Sequence, residues 1–150
     1  MAEPITAFRG EYDFLSNFYL CVITLDDVDY SSVEHAFQAA KTDNADERRK
    51  VQLAPSPGRA KQIGRKVTLR PDWEDVKIGI MADLVRQKFT RHDDLRDLLL
   101  ATGDAQLIEG NTWNDRTYGA VWSKKQGAWI GKNHLGKILM TIRAELRTQA

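Results

Sequence analysis

The segment SSVEHAFQAAK, residues 31–41, carries a carboxylate, an amide and an ammonium group at helical spacing. Glu34, Gln38 and Lys41 are separated by four and then three residues, so an α-helix would present all three on one side. Such a set can transfer protons or hold the polar groups of a substrate. Two explanations fit this pattern. The side chains line a polar pocket at the edge of the core, or they are solvated and Glu34 closes a capping box that begins at Ser31.

A second cluster of chemically capable residues is LIEGNTWNDRTYG, residues 107–119. Its carboxylates, amides and aromatic rings include Asp115, Trp113 and Tyr118. Aromatic faces beside carboxylates suit a flat heterocycle joined to a sugar, because rings stack on the base while an acid or base acts on the bond. The alternative is a surface loop in which Asp and Asn side chains bond to their own backbone and Trp113 anchors the loop in the core.

Two further segments could meet anions. In FRGEYDFLSNFY, residues 8–19, Arg9 could bind an anion and Asn17 offers compact hydrogen-bonding groups. Basic side chains crowd into residues 48–66, namely Arg48, Arg49, Lys50, Arg59, Lys61, Arg65 and Lys66. These cations could bind the phosphate of a nucleotide or of a nucleic acid, or they could form an ordinary soluble surface.

The composition argues against several classes of protein. A net charge of +1 gives no global attraction to nucleic acid or to an anionic membrane. Cys21 is the only cysteine, and His35, His92 and His134 are far apart, so we expect no disulfide, no metal and no cofactor. The chain has neither a G-x-S-x-G motif nor a phosphate-binding glycine loop. Because it also lacks a signal-peptide pattern and an apolar run of ~20 residues, a cytoplasmic protein is expected.

Apolar periodicity predicts the elements that would position these residues. Two strands are predicted between about residues 18 and 30, flanking a tight turn at Asp26-Asp27. Helices are predicted over about 31–41, 57–64, 73–92, 93–101 and 135–146, with Gly64 and Gly103 as stop signals. Residues 106–109 are a candidate strand, and residues 111–133 are predicted to be rich in loops. The expected fold is a helix-rich α+β single domain over residues 1–150, with a small β-sheet or hairpin.

The order of the motifs along the chain is similar to that of the YbiA-like, or NADAR, family. The resemblance covers nearly the whole chain and rests on seven blocks: FLSNFY (14–19), SSVEHAFQAAK (31–41), SPGRAKQIGR (56–65), LRPDWEDVK (69–77), MADLVRQKF (81–89), LIEGNTWNDRTYG (107–119) and GKNHLGKILMTIRAEL (131–146). It implies a helix-rich α+β domain with N-glycosidase activity. Some members of this family cleave phosphoribosylamino-pyrimidine intermediates of riboflavin synthesis, and others remove ADP-ribose from guanine bases.

The family pattern assigns roles to particular residues. Glu34 and Lys41 match its E-H-x-x-Q-x-x-K helix, and Trp73 matches the tryptophan that precedes the central helix. Asp115 matches the aspartate of its D-x-x-W-G element, in which Tyr118 here replaces the usual tryptophan. The resemblance and the clusters above together imply catalysis by Glu34, Asp115 and Lys41, and substrate binding by Arg9, Asn17, Gln38, Trp73, Trp113 and Tyr118.

The implied reaction hydrolyses a ribose–nitrogen bond, and it leaves three questions open. Lys41 either pairs with a phosphate or carboxylate or attacks an opened ribose aldehyde as a Schiff-base amine. The partner is a nucleotide-derived small molecule or ADP-ribosylated nucleic acid, and the basic residues slightly favour an ADP-ribosyl substrate. Two other classes stay open: a nucleotide- or ADP-ribose-binding module without turnover, and a nucleic-acid-binding protein built on residues 48–66.

Overall fold

The computed structural model describes residues 2–149, and their backbone folds into two compact units. The central unit comprises residues 17–91, and the terminal unit comprises residues up to 16 together with those from 92 onward. Helices dominate both units, and the strands of the described residues form two antiparallel two-stranded sheets, one in each unit. The predicted helix-rich α+β class with a small sheet component is confirmed. That residues 1–150 form one domain stays a prediction.

The central unit begins with a β-hairpin. Strand β1 (Leu20–Leu25) pairs antiparallel with β2 (Val28–Ser32), and Leu25 lies opposite Val28. The two connecting residues, Asp26 and Asp27, have φ angles of 50° and 64°. A two-residue hairpin turn with positive φ at both positions matches the twist of the strands, and aspartate tolerates this conformation. The predicted tight turn is confirmed.

Four helices complete the central unit: α1 (Val33–Ala40), α2 (Ala45–Gln52), α3 (Pro57–Gly64) and α4 (Trp73–Arg91). Helix α1 contacts both strands of the hairpin and all three of the other helices. Each of its eight residues is buried, including the polar ones. The sequence predicts only a one-sided apolar stripe for this helix; its central position buries the polar side as well. Helix α2 is not predicted because Val51 is its single buried residue.

The terminal unit contains a 3-10 helix (Gly10–Leu15), α5 (Asp93–Ala101), β3 (Val121–Ser123), β4 (Ala128–Ile130) and α6 (His134–Thr148). The β3–β4 hairpin lies in the stretch predicted to be rich in loops. Trp122 and Trp129 are opposite each other across it, with ring centroids 5.4 Å apart, and such cross-strand aromatic pairs stabilise short strands. The strand predicted at residues 106–109 is wrong, because only Leu107 pairs there, in an isolated bridge with Ile5.

Helix α6 is tied to the end of α5 through Arg143. Its guanidinium group is buried and donates to the Thr102 hydroxyl and the Ala105 carbonyl, both at 2.8 Å. Burial lowers the pKa of Arg143 below its ordinary value. Gly103, between these acceptors, has a φ of 63°, the left-handed conformation predicted for it at the end of α5. In residues 2–149 we find no helix with the length and apolar character needed to cross a membrane.

Candidate active site

The nine residues named from the sequence divide between the two units. The central unit holds Asn17, Glu34, Gln38, Lys41 and Trp73, and the terminal unit holds Arg9, Trp113, Asp115 and Tyr118.

Glu34 and Gln38 form the polar side of α1, and only 7% and 4% of their respective surfaces are exposed. Gln38 Nε2 donates a hydrogen bond of 2.8 Å to Glu34 Oε1. The backbone N–H of Glu34 donates to the carbonyl oxygen of Asn17 at 3.0 Å. Because burying a carboxylate costs free energy, this arrangement contradicts a solvated helix face and favours the pocket explanation.

The N-terminus of α1 is capped by Ser32 rather than by Ser31. Ser32 Oγ accepts from the backbone N–H of His35 at 3.1 Å and lies 2.7 Å from His35 Nδ1. His35 Nε2 lies 3.1 Å from the carbonyl oxygen of Ala54, which can only accept, so Nε2 carries a proton and donates to it. The capping box predicted from Ser31 to Glu34 is therefore wrong. The helix begins one residue later than predicted. His35, rather than Glu34, is therefore the third residue of the helix, whose backbone N–H donates to the capping serine.

Gly64, the last residue of α3, lies against the side chain of Gln38. A Cβ atom at residue 64 would stand 2.0 Å from Gln38 Oε1 and 2.9 Å from Gln38 Cβ. The close approach of α3 to α1 therefore requires glycine, and this contact restricts where the Gln38 amide can lie. The sequence predicts Gly64 as a helix stop; the structure gives close packing as the reason for glycine there.

Lys41 is the C-terminal capping residue of α1 and is half-buried. Desolvation lowers the pKa of the Lys41 ammonium group below its ordinary value, and the negative charge of Glu34 acts against this lowering. The nearby cations Arg65, Lys61 and Lys77 lower the pKa of Lys41 further. At neutral pH a larger fraction of this amine is neutral than in an ordinary lysine, which is what a Schiff-base nucleophile requires.

Asn17 and Trp73 are also buried, with exposed fractions of 7% and 6%. Asn17 Nδ2 lies 3.8 Å from the sulfur of Met81, whereas Asn17 Oδ1 has no hydrogen-bond partner within residues 2–149. Trp73 is the first residue of α4, and its ring centroid lies 5.1 Å from that of Phe37 at an angle of 53°. Trp73 therefore packs against the helix that carries Glu34. Asn17 separately provides a buried acceptor, Oδ1, that is unsatisfied among the described residues.

Asp115 is half-buried in the loop that precedes β3. Its Oδ1 accepts hydrogen bonds from the backbone N–H groups of Thr117 at 3.0 Å and Tyr118 at 2.9 Å. Its other oxygen, Oδ2, has no hydrogen-bond partner in the described part of the chain. One oxygen thus fixes the orientation of the carboxylate, as the surface-loop explanation predicts, and the second remains available for chemistry.

Asn111 organises the same loop, a role that the sequence analysis did not assign to it. The residue is 7% exposed. Asn111 Oδ1 accepts from the backbone N–H of Asp115, and Asn111 Nδ2 donates to the Asp115 carbonyl, both at 2.9 Å. At the end of the loop the backbone of Gly119 lies against that of Glu109. A Cβ at Gly119 would stand 2.2 Å from the Glu109 carbonyl oxygen, so this close approach requires glycine. An asparagine four residues before the aspartate is the sequence signal for this loop.

The remaining named residues differ in exposure. Trp113 is 66% exposed, which contradicts the alternative in which it anchors the loop in the core. Tyr118 is half-buried, and its carbonyl oxygen accepts from the backbone N–H of Leu135 at 3.0 Å, which links the loop to α6. The guanidinium group of Arg9 is exposed and has no hydrogen-bond partner among residues 2–149.

Lys88 is a buried cation that the sequence analysis did not single out. It is 1% exposed on α4, and its Nζ lies 5.4 Å from the ring centroid of Tyr19 and 5.0 Å from that of Phe89. The signal was present in the sequence, because Lys88 follows Leu84 by four residues and so lies on the apolar side of the helix. Cation–π contacts of this kind are favourable in desolvated surroundings.

Metal-binding groups do not assemble in the described part of the chain. No three or more His, Cys, Asp or Glu side chains come close enough there to hold a metal ion.

Comparison with known proteins identifies the family. Residues 7–147 match the model of the NADAR domain. A riboflavin biosynthesis protein of Vibrio vulnificus is 36% identical over 100% of this chain, which spans 40% of that relative's length. An N-glycosidase of Nostoc punctiforme is 39% identical over 91% of this chain and 86% of its own length. The N-glycosidase YbiA of Escherichia coli is 39% identical over 91% of this chain and 82% of its own length.

A solved structure supports the same assignment. The NMR structure of E. coli YbiA superposes with a TM-score of 0.82 at 36% identity, covering 99% of this chain and 88% of that one. The chain therefore belongs to the NADAR domain family. It is a relative of the N-glycosidases of that family in both sequence and fold.

Proposed function

We propose that this protein is an N-glycosidase that hydrolyses the bond between ribose and a nitrogen atom of a nucleotide-derived substrate. The observation that carries the proposal is the buried carboxylate of Glu34, which is held by Gln38 on a helix that also carries the half-buried Lys41. Relatives named N-glycosidases, similar over nine tenths of the chain, support the same reaction class.

The reaction explains why carboxylates are needed. Cleavage of the ribosyl C–N bond leaves positive charge on C1′ and negative charge on the departing nitrogen, and water then supplies a hydroxyl to C1′ and a proton to the base. Asp115 acts on the sugar, where the unpaired Oδ2 stabilises the cation or takes a proton from water. Glu34 serves as the second acid–base group or fixes the ribose hydroxyls.

Lys41 has the environment for either of two roles. As an ammonium group it pairs with a phosphate or a carboxylate of the substrate. As a neutral amine, favoured by its lowered pKa, it attacks the aldehyde of an opened ribose and forms a Schiff base with loss of water. Trapping of a Schiff base with borohydride distinguishes the two roles.

Substrate binding falls to groups that differ in what they offer. The exposed ring of Trp113 supplies a stacking face, the half-buried Tyr118 supplies a ring and a hydroxyl, and the free guanidinium of Arg9 supplies a partner for an anion. Asn17 and Gln38 supply amides, and Trp73 supports α1 through Phe37. The buried Oδ1 of Asn17 favours a donor such as a ribose hydroxyl, because an orphaned acceptor costs about 1–3 kcal/mol.

Two substrate classes follow from this proposal. The Vibrio vulnificus relative is named a riboflavin biosynthesis protein, which favours a phosphoribosylamino-pyrimidine intermediate. ADP-ribosylated guanine, free or within a nucleic acid, presents the same ribose–nitrogen bond and is the second class.

Release of free base tests the function directly. The protein is incubated with one substrate of each class, and the products are separated by chromatography. An N-glycosidase releases free pyrimidine or guanine from at least one of them, with multiple turnovers per protein molecule. Calorimetric binding of a substrate without any release of base would instead identify a nucleotide-binding module and contradict the proposal.

A further inference from the structure

The positive charge of this chain is concentrated in one segment. Residues 48–66 contain seven of the 22 lysine and arginine residues and no aspartate or glutamate, although the whole chain has a net charge of only +1. Local excess of one sign attracts polyanions even when the net charge is near zero, because screening limits the interaction to about 10 Å.

Part of this segment lines a groove in the central unit. The groove has a volume of about 510 Å³ and is bordered by α2, by α3 and by the residues that follow α3. Four cations line it, Lys50, Arg59, Arg65 and Lys66, together with Gln62 and a single carboxylate, Glu47. All four cationic side chains are exposed to solvent.

The four cations of the groove are unpaired, unlike arginines elsewhere in the chain. Arg48 pairs with Asp26 and Arg70 with Asp72, each at 2.6 Å. None of the four groove cations forms an ion pair within residues 2–149; Arg59 instead donates to Gln62 at 2.9 Å.

Glu47, the single carboxylate of the groove, is occupied by hydrogen bonds within the protein. Its carboxylate accepts from the Thr42 hydroxyl at 2.8 Å and from the backbone N–H of Thr68 at 3.1 Å. These hydrogen bonds lower the pKa of Glu47. Four cations against one carboxylate leave the groove with an excess of positive charge.

The dimensions and chemistry of the groove fit a short run of phosphates. Helices α2 and α3, each of eight residues and so about 12 Å long, carry two of these cations, and the other two follow α3, so the four charges are spread out enough to contact consecutive phosphates of one strand. No aromatic side chain lines the groove, so it offers no stacking platform for bases. Contact with the backbone alone would not depend on base sequence.

We propose that this groove binds the phosphate backbone of nucleic acid. This site is additional to the N-glycosidase chemistry. Because binding of nucleic acid is measured without turnover, its test does not depend on the proposed reaction. It gives the basic segment a role beyond solubility, with Lys50, Arg59, Arg65 and Lys66 as the phosphate contacts.

Fluorescence anisotropy with a short labelled oligothymidylate tests the proposal over a range of salt concentrations. With about four phosphate contacts on a single strand, the logarithm of the affinity should fall against the logarithm of salt with a slope of about −2.8. That slope corresponds to about a fifty-fold loss between 50 and 200 mM salt. In the double variant Lys50→Gln/Lys66→Gln the slope should fall to about −1.4.

The matched control is Lys124→Gln/Lys125→Gln, which removes two exposed lysines outside the basic segment. It should bind oligothymidylate like the wild type, and both double variants should release base from a small substrate at the wild-type rate. Equal loss of affinity in the two variants, or no measurable binding by the wild type, would overturn the proposal. Competition by inorganic pyrophosphate at equal phosphate concentration would also overturn it, since the groove would then hold a free diphosphate.

Discussion

Glu34 and Asp115 are held by different means, and this difference predicts which substitutions keep the structure. Glu34 accepts a hydrogen bond from the Gln38 amide, and Asp115 accepts two from backbone N–H groups through one oxygen. Glutamine and asparagine retain the accepting oxygen in each case and remove the negative charge. Alanine would instead remove the acceptor and leave the Gln38 amide, or the two loop N–H groups, without their partner.

Lys41 is predicted to react in its neutral form if it forms a Schiff base. Because its pKa is lowered, the neutral fraction and the rate should rise with pH through that lowered pKa, reaching a plateau below the pH that an ordinary lysine requires. Borohydride added during turnover should then leave a ribosyl adduct on Lys41, located by mass spectrometry of a digest. The yield of the adduct should increase with pH over the same interval.

Lys41→Arg is the control, because arginine keeps the positive charge and does not form a Schiff base under these conditions. Loss of both the adduct and the activity in this variant supports the covalent role. Wild-type activity in Lys41→Arg, with no adduct on Lys41 in the native protein, would leave only the electrostatic role.

At the scale of elements, the contact between α1 and α3 connects packing with the site. Gly64→Ala should place a methyl group within the space of the Gln38 side chain. Overpacking of this kind costs about 1–3 kcal/mol, and displacement of Gln38 would also disturb Glu34. We expect a lower melting temperature and a fall in the rate of base release of more than about tenfold.

Gly58→Ala is the matched control on the same helix. Apart from its chain neighbours and the backbone of its own helix, no atom lies within 4 Å of a Cβ at this position, so the substitution should leave activity unchanged and stability equal or slightly higher. In a Gln38→Ala background, Gly64→Ala should cost much less stability, because the clashing atoms of the amide are gone. Full additivity of the two losses would show that Gly64 acts independently of Gln38.

The hydrogen bonds of Arg143 on helix α6 lead to a prediction about stability alone. Arg143→Met removes the hydrogen bonds to Thr102 and Ala105 and leaves two acceptors at the end of α5 without that donor. Unsatisfied buried acceptors cost about 1–3 kcal/mol each, so the free energy of unfolding measured in urea should fall by about 2–6 kcal/mol. A change below about 0.5 kcal/mol, the range of surface substitutions, would show that solvent replaces the arginine.

Across the whole molecule, the elements with strong local sequence signals were predicted, and the short or polar elements were not. The turn at Asp26-Asp27 and helices α1, α3, α4, α5 and α6 were predictable, because turn residues, caps and apolar spacing are local signals. Helix α2 was missed because Val51 is its only buried residue, and the β3–β4 hairpin was missed because three-residue strands show no alternation. Short or polar elements depend on their neighbours more than on their own pattern.

The grouping of some candidate residues on one side of a helix was predictable. Helical spacing grouped Glu34 with Gln38, and their hydrogen bond bears this out. The burial of that face was not predictable, because it results from helices distant in sequence that surround α1. The same reason explains why the scaffolding role of Asn111 and the contact of Gly64 with Gln38 came only from the structure.

One comparison tests the central claim most directly: the rate of base release by wild type, Glu34→Gln and Asp115→Asn, with melting temperature measured on the same samples. Because both substitutions keep the structural hydrogen bonds and remove a charge, each variant should lose more than about tenfold in turnover while its melting temperature stays within about 2 °C of the wild type. Near-wild-type turnover in both variants would contradict the assignment of these carboxylates to the reaction.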